Sequence, residues 1–131
     1  RAPKEAEGEV RRVLEFYAEL AQAGDLEDMG ALVAESGGVH FIEGAGVNHG
    51  WAQYRDEHLA SGGEHFKDLR YRNFAIGPRV RGNVAYSAFR YELRAGAPDG
   101  PIDIEGRGTA VIERLDGQWQ IVHLRTSGRP G

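Results

Sequence analysis

Three turn signals divide the second half of the chain into strand-length runs. They constrain the fold more than any other feature. Gly82-Asn83 and Asp116-Gly117 are two-residue hairpin signals, and Pro98-Asp99-Gly100 is a turn. The runs between them predict strands over residues 66–80, 84–95, 102–115 and 118–127, each doubling back on the one before. A meander of this kind needs no crossover helix, so it argues against a βαβ parallel fold.

The first half has a different period. Val10, Val13, Leu14, Tyr17, Leu20 and Ala21 follow i, i+3, i+4 spacing, which predicts a helix over residues 4–23 that stops at Gly24. Asp25 suits the N-cap of a short second helix whose apolar side is Leu26, Met29, Leu32 and Val33. Ser36-Gly37-Gly38 ends that helix. Residues 39–43 read as a strand, residues 44–46 as a turn, residues 47–49 as a short return strand and residues 51–60 as a third helix. The expected order is α-α-β-β-α-β-β-β-β, an α+β class, in a single domain spanning 1–131.

Composition excludes several function classes. The 131 residues carry a formal charge of −4, whereas a nucleic-acid partner needs a concentrated positive field. There is no cysteine, which removes disulfides, zinc–thiolate sites and thiol nucleophiles. No apolar run approaches the roughly 18 residues of a membrane-spanning helix, and no signal peptide is visible. The polar opening at Arg1 fits an exported mature chain as well as a trimmed one, so no compartment is assigned. Nucleotide-binding glycine fingerprints and the GxSxG elbow are absent; Gly44-x-Gly46 lacks the remainder of the first.

The element order, together with particular residues, resembles the nuclear transport factor two-like superfamily, in its SnoaL-like branch. The matching residues are Ala23-Gly24-Asp25-Leu26-Glu27 between the first helices, the segment from Gly44 to Gly50, Gly108-Thr109, and the run from Asp116 to His123. The resemblance covers nearly the whole chain. It implies a cone in which a strongly bent antiparallel sheet wraps the long first helix and leaves a mostly apolar pocket at the open end. It also implies a homodimer formed through the outer sheet face, and chemistry without an organic cofactor. Relatives with this ending often carry a second histidine two places after the first, a position held here by Arg125.

Strict alternation along the last strand puts Trp119, Ile121, His123, Arg125 and Ser127 on one side and Gln120, Val122, Leu124 and Thr126 on the other. In the resembled fold the Trp side points into the cone. His123 is then the candidate for proton transfer near neutral pH, and Arg125 the candidate anion clamp. The bland alternative has His123 hydrogen-bonded to a carboxylate or carbonyl and Arg125 paired with Glu105 or Glu43. On the third helix, Trp51, Tyr54, Arg55 and His58 form one stripe, with His49 just before it. Trp51, Tyr54, His58, Trp119 and His49 are the candidate ligand-binding wall; the alternative is an aromatic side docked on the sheet, with His49 capping the helix.

His49, His58 and His123 are the candidate ligands for a divalent metal, although no HxH or HxxxH spacing marks such a site. Glu43, Asp56, Asp103 and Glu105 are available carboxylates that match no catalytic motif. Of Tyr86 and Tyr91 only one can face the cone. Arg70, Arg72, Arg79, Arg81, Arg90 and Arg94 are read as a solvated or dimer-facing sheet exterior, paired across strands with Glu92, Asp103, Glu105 and Glu113.

The functional expectation is a small-molecule-binding domain, extending to a cofactor-independent acid–base enzyme of isomerase or cyclase type. Its partner is a small-molecule ligand, not nucleic acid or membrane. The alternatives are a non-enzymatic dimerisation or association module and a histidine-based metal-binding protein.

Overall fold

Pro3–Ala23 forms helix α1 because its apolar residues recur on one side: Ala6, Val10, Leu14, Tyr17 and Leu20 are all buried. The helix ends in a Schellman arrangement at Gly24. The Gly24 N–H donates to the Ala21 carbonyl at 3.1 Å and the Asp25 N–H to the Leu20 carbonyl at 2.9 Å. Asp25 then caps α2 (Leu26–Ala31), its carboxylate accepting the Asp28 N–H at 3.1 Å. The computed structural model describes residues 3–35, 39–43, 46–56 and 67–130.

Among the described residues, strands follow as β1 (His40–Glu43), β2 (Gly46–His49), β3 (Lys67–Phe74), β4 (Arg79–Arg81), β5 (Val84–Gly96), β6 (Ile102–Leu115) and β7 (Gln118–Pro130), with α3 (Trp51–Tyr54) after β2. They form one sheet in the order β2-β1-β7-β6-β5-β3, with β4 also on β5. All the pairings are antiparallel except β1 with β7, which run parallel.

The strand expected over residues 66–80 is broken into β3 and β4. Ala75 takes a positive φ of 52°, and Pro78 has no N–H to give a ladder. Side chains satisfy the backbone at the break. Arg11 donates to the Ile76 carbonyl at 3.4 Å, and the Gly77 N–H donates to Ser87 Oγ at 3.2 Å. The predicted hairpin turns form as read; Asp116 and Gly117 both take the positive φ that a tight two-residue loop needs. The third helix is described only to residue 56, so its expected course to residue 60 lies outside the described residues.

The concave face of the sheet wraps α1. On β5 the odd positions Ala85, Ser87, Phe89 and Tyr91 are buried, and on β6 the even positions Gly108, Ala110 and Ile112. Phe89 lies directly across from Gly108, and Tyr91 from Gly106. A Cβ at Gly108 would come within 2.6 Å of Phe89 Cε2, and one at Gly106 within 2.5 Å of Tyr91 Cε1. The aromatic rings therefore occupy the space left by glycines of the neighbouring strand, which lets a bent sheet close over its own inner face.

Candidate functional site

The last strand does not alternate strictly. Between β6 and β7 the register runs Ile112 to Ile121 and then Val111 to His123, which leaves Val122 as one extra residue on β7. The bulge falls where the other neighbour of β7 changes. On that side the Ile121 N–H donates to the Leu32 carbonyl at 2.8 Å and the Ala34 N–H to the Ile121 carbonyl at 3.0 Å; from His123 onward the neighbour is β1. The extra residue exchanges the two faces. Trp119 and Ile121 are buried as expected, but beyond the bulge Leu124 and Thr126 are buried while Arg125 and Ser127 are exposed.

The expected common face for Trp119, Ile121, His123, Arg125 and Ser127 is therefore corrected. Arg125 lies opposite the exposed Thr109, and Ser127 opposite the exposed Arg107, both on the convex face. Half-buried His123 lies opposite Val111 on β6 and is paired with His40 on β1, which is in turn paired with His49 on β2. Among the described residues, no group of three or more His, Cys, Asp or Glu is placed to hold a metal ion. Of the expected metal trio, His58 lies outside the described residues.

Trp119, expected in the pocket wall, is buried at the start of β7. Its indole N–H donates to Glu9 Oε1 at 3.1 Å, anchoring α1 to the start of β7. Trp51 packs against Gly30 of α2, where a Cβ would meet its Cδ1 at 3.1 Å, and its ring centroid is 6.1 Å from that of Phe41. It joins α3 to α2 and β1. Exposed His49 gives its backbone N–H to Gln53 Oε1 at 2.6 Å, and no side chain caps α3. The side chain of Tyr54 lies outside the described residues.

Inside the cone the chain collects polar groups that the spacing did not reveal. Asn73 on β3 is 6% exposed and Thr126 on β7 is 5% exposed. Asn73 lies opposite Tyr91, which lies opposite Gly106; Thr126 is in the next row, opposite Gly108. Asn73 Nδ2 donates to the Leu14 carbonyl of α1 at 3.0 Å. Its Oδ1 is buried and has no hydrogen-bond partner among the described residues. The Tyr71 and Tyr91 rings meet edge to face at 6.1 Å beside it, and Tyr17 of α1 is buried in the same core. Tyr91 is thus the inward-facing tyrosine of β5, and Tyr86 faces outward, 49% exposed.

Among the described residues, the outer face carries cross-strand ion pairs for two of the six arginines expected to make them. Arg72 meets Glu92 at 2.7 Å and Arg94 meets Asp103 at 3.4 Å. The hydrogen bond from Arg72 holds the Glu92 carboxyl below the usual glutamate range, with Arg94 and Arg90 adding to the effect. Among the described residues, no helix is long and apolar enough to cross a membrane.

A helix wrapped by a bent sheet whose concave face turns polar towards Asn73 and Thr126 defines a cone-shaped α+β domain. The SnoaL-like domain model matches residues 10–130, and the chain belongs to that family. The structure is similar to a nuclear transport factor 2-like superfamily protein from Salmonella enterica serovar Typhimurium, with 24% identity over 99% of this chain and 95% of that one and a TM-score of 0.88. It is also similar to a proposed aromatic ring hydroxylase from Novosphingobium aromaticivorans (14% identity, 100% and 96% of the two chains, TM-score 0.87). A third likeness is to a proposed dehydratase from Streptomyces avermitilis (18% identity, 99% and 99%, TM-score 0.82). No curated protein matches the chain. At these identities the likeness to solved structures defines the fold.

Proposed function

We propose that this domain binds a small, mainly apolar molecule inside the cone, against α1 and the concave face of the sheet. The observation that carries the proposal is the carboxamide of Asn73. One end is fixed to α1 while Oδ1 faces the buried interior without a partner among the described residues. A buried acceptor left unmade costs about 1–3 kcal/mol, which a ligand hydroxyl or amide donor would recover. Tyr71 and Tyr91 supply flat apolar surface beside it, and Thr126 a second polar group across the sheet. Relatives described as dehydratase or hydroxylase support a small-molecule role by analogy of fold.

The finer form of the proposal is acid–base turnover without an organic cofactor. His123, the titrating group expected from strict alternation, does not support it, because beyond the bulge His123 lies opposite Val111 and shares the outer face with Arg125. Screening a fragment library by ligand-observed NMR tests both levels. Binders of the cone should be lost in Asn73→Leu and weakened in Thr126→Val, in folded protein checked by circular dichroism. Turnover of a bound compound should persist in His123→Ala with the fold intact. Binders indifferent to both Asn73→Leu and Thr126→Val would sink the cone-binding proposal, and loss of turnover in His123→Ala would refute the outward placement of that side chain.

A homodimer through the outer sheet face is the second reading. It is favoured by Val84 and Tyr86, large apolar side chains 41% and 49% exposed on β5. Sedimentation equilibrium of Tyr86→Glu should show dissociation; a monomeric parent protein ends this reading.

A further inference from the structure

We propose that the convex face of the sheet carries an oxyanion site, built from Arg90, Arg107 and Arg125, for the phosphate or carboxylate group of a small molecule. Arg90 on β5 lies directly opposite Arg107 on β6, which lies opposite Ser127 on β7. In the adjoining row Ala88 lies opposite Thr109, which lies opposite Arg125. All six are exposed, on the face opposite α1. With Ala75, Phe89 and Gly108 they line a groove of about 430 Å³.

Like charges placed directly opposite each other destabilise a strand pair, so the Arg90–Arg107 juxtaposition needs a reason. Elsewhere on this face Arg72 is neutralised by Glu92 and Arg94 by Asp103, whereas exposed Arg70, opposite Arg94, and exposed Arg79 and Arg81 form no ion pair among the described residues. Among the described residues no carboxylate forms an ion pair with Arg90, Arg107 or Arg125, although Glu105 borders the neighbouring groove beside Arg129. The bland pairing of Arg125 with Glu105 is therefore not made. The Arg90 guanidinium stands 5.3 Å from the centre of the Phe74 ring, a cation–π contact. In a chain of net charge −4 this concentration of unpaired cations is a local arrangement, not a reflection of composition. Guanidinium forks match the paired oxygens of phosphate and carboxylate, and the Thr109 and Ser127 hydroxyls between them add neutral donors. The groove is in the range of small-ligand sites, and the acidic flank at Glu105 opposes a polyanion running through it.

The site is on the opposite face from the cone interior, so it stands or falls separately from the proposal for Asn73. Isothermal titration with inorganic phosphate and with succinate, in about 0.15 M NaCl, tests it. Saturable 1:1 binding of at least one probe is expected, weakened about tenfold or more in Arg107→Gln and in Arg125→Gln. Arg12→Gln, on the exposed side of α1, should change it less than about twofold. Preference for phosphate assigns a phosphate ester as the ligand class, and preference for succinate a carboxylate. Absence of saturation by about 20 mM, equal loss in Arg12→Gln, or disappearance of binding as the protein dimerises in parallel sedimentation runs would each overturn the site.

Discussion

Replacing Leu124 by Ala should destabilise the domain strongly, whereas replacing its neighbour Arg125 by Ala should hardly matter. The contrast tests the exchange of faces at Val122. Leu124 is 3% exposed and lies between Ala110 on β6 and Phe41 on β1. Its removal takes away the burial of a leucine side chain and leaves a cavity that the small Ala110 cannot fill, a cost of about 3 kcal/mol. Arg125 is exposed and has no ion pair among the described residues, so its truncation belongs with surface changes within about 0.5 kcal/mol. Urea unfolding is the direct assay. With a slope of about 1–3 kcal/mol per molar for a domain of this size, Leu124→Ala should lower the midpoint by about 1–3 M and Arg125→Ala by less than about 0.5 M. If strict alternation continued from Trp119, the burden would be reversed, because Arg125 would be inside and Leu124 outside. A cost above about 2 kcal/mol for Arg125→Ala, or below about 1 kcal/mol for Leu124→Ala, would refute the bulge as the origin of the two faces.

Three further outcomes follow from the same geometry. Gly108→Ala brings a Cβ to 2.6 Å from Phe89 Cε2, against about 3.5–4.0 Å for carbons in contact, so it should cost about 1–3 kcal/mol in urea unfolding. Adding Phe89→Leu should make that cost less than additive, and strict additivity would show that the ring is not the obstacle. Asp25→Ala should lose about 1 kcal/mol of stability with the α2 cap, whereas Asp25→Asn keeps the acceptor and removes the charge that raises the Asp28 pKa through their hydrogen bond and proximity. Equal melting temperatures for Asp25→Ala and Asp25→Asn would count against the cap. Glu92, held below its usual range when folded, contributes stability above the ordinary glutamate pKa and loses it as pH falls through the folded value. The stability difference between the parent protein and Glu92→Gln should therefore shrink on acidification and in about 1 M salt, and a pH-independent difference would remove the Arg72 pairing as its cause.

What could be read from the sequence was what depends on neighbours along the chain. The stripe from Val10 to Ala21, the stop at Gly24, the Asp25 cap and the turns at Gly82, Pro98 and Asp116 are local decisions of backbone and side chain, and they hold. The break between β3 and β4 was also local, since Gly77-Pro78 removes a ladder donor, but the apolar residues on either side concealed it. The arrangements that build the inner face are different in kind. Phe89 over Gly108 and Tyr91 over Gly106 are matches between strands that no spacing within one strand can show. Asn73 likewise looks like any polar residue of an edge strand until Tyr91 is paired with it and α1 is laid across it.

The last strand shows why the candidate site was only half legible. Its apolar residues change phase: Trp119 and Ile121 are odd, whereas Leu124, with buried Thr126 after it, is even. A change of phase inside one strand requires one inserted residue, and Val122 carries no glycine or proline signature to mark it. Leu124 on the nominally outer side was the available signal. Its cause, however, lies elsewhere in the chain, where Leu32 and Ala34 take the backbone groups of Ile121 and leave β1 to begin its pairing at His123. The consequence for function is a division of labour that alternation alone would have merged. Thr126 belongs with Asn73 in the interior, and Arg125 belongs with Arg90 and Arg107 outside. An anion clamp and a neutral, aromatic-lined interior on opposite faces of one sheet cannot serve a single reacting centre, because the sheet separates them. Among the described residues, the donors and acceptors gathered with Asn73 and Thr126 are uncharged, so Arg125 takes no part in chemistry there.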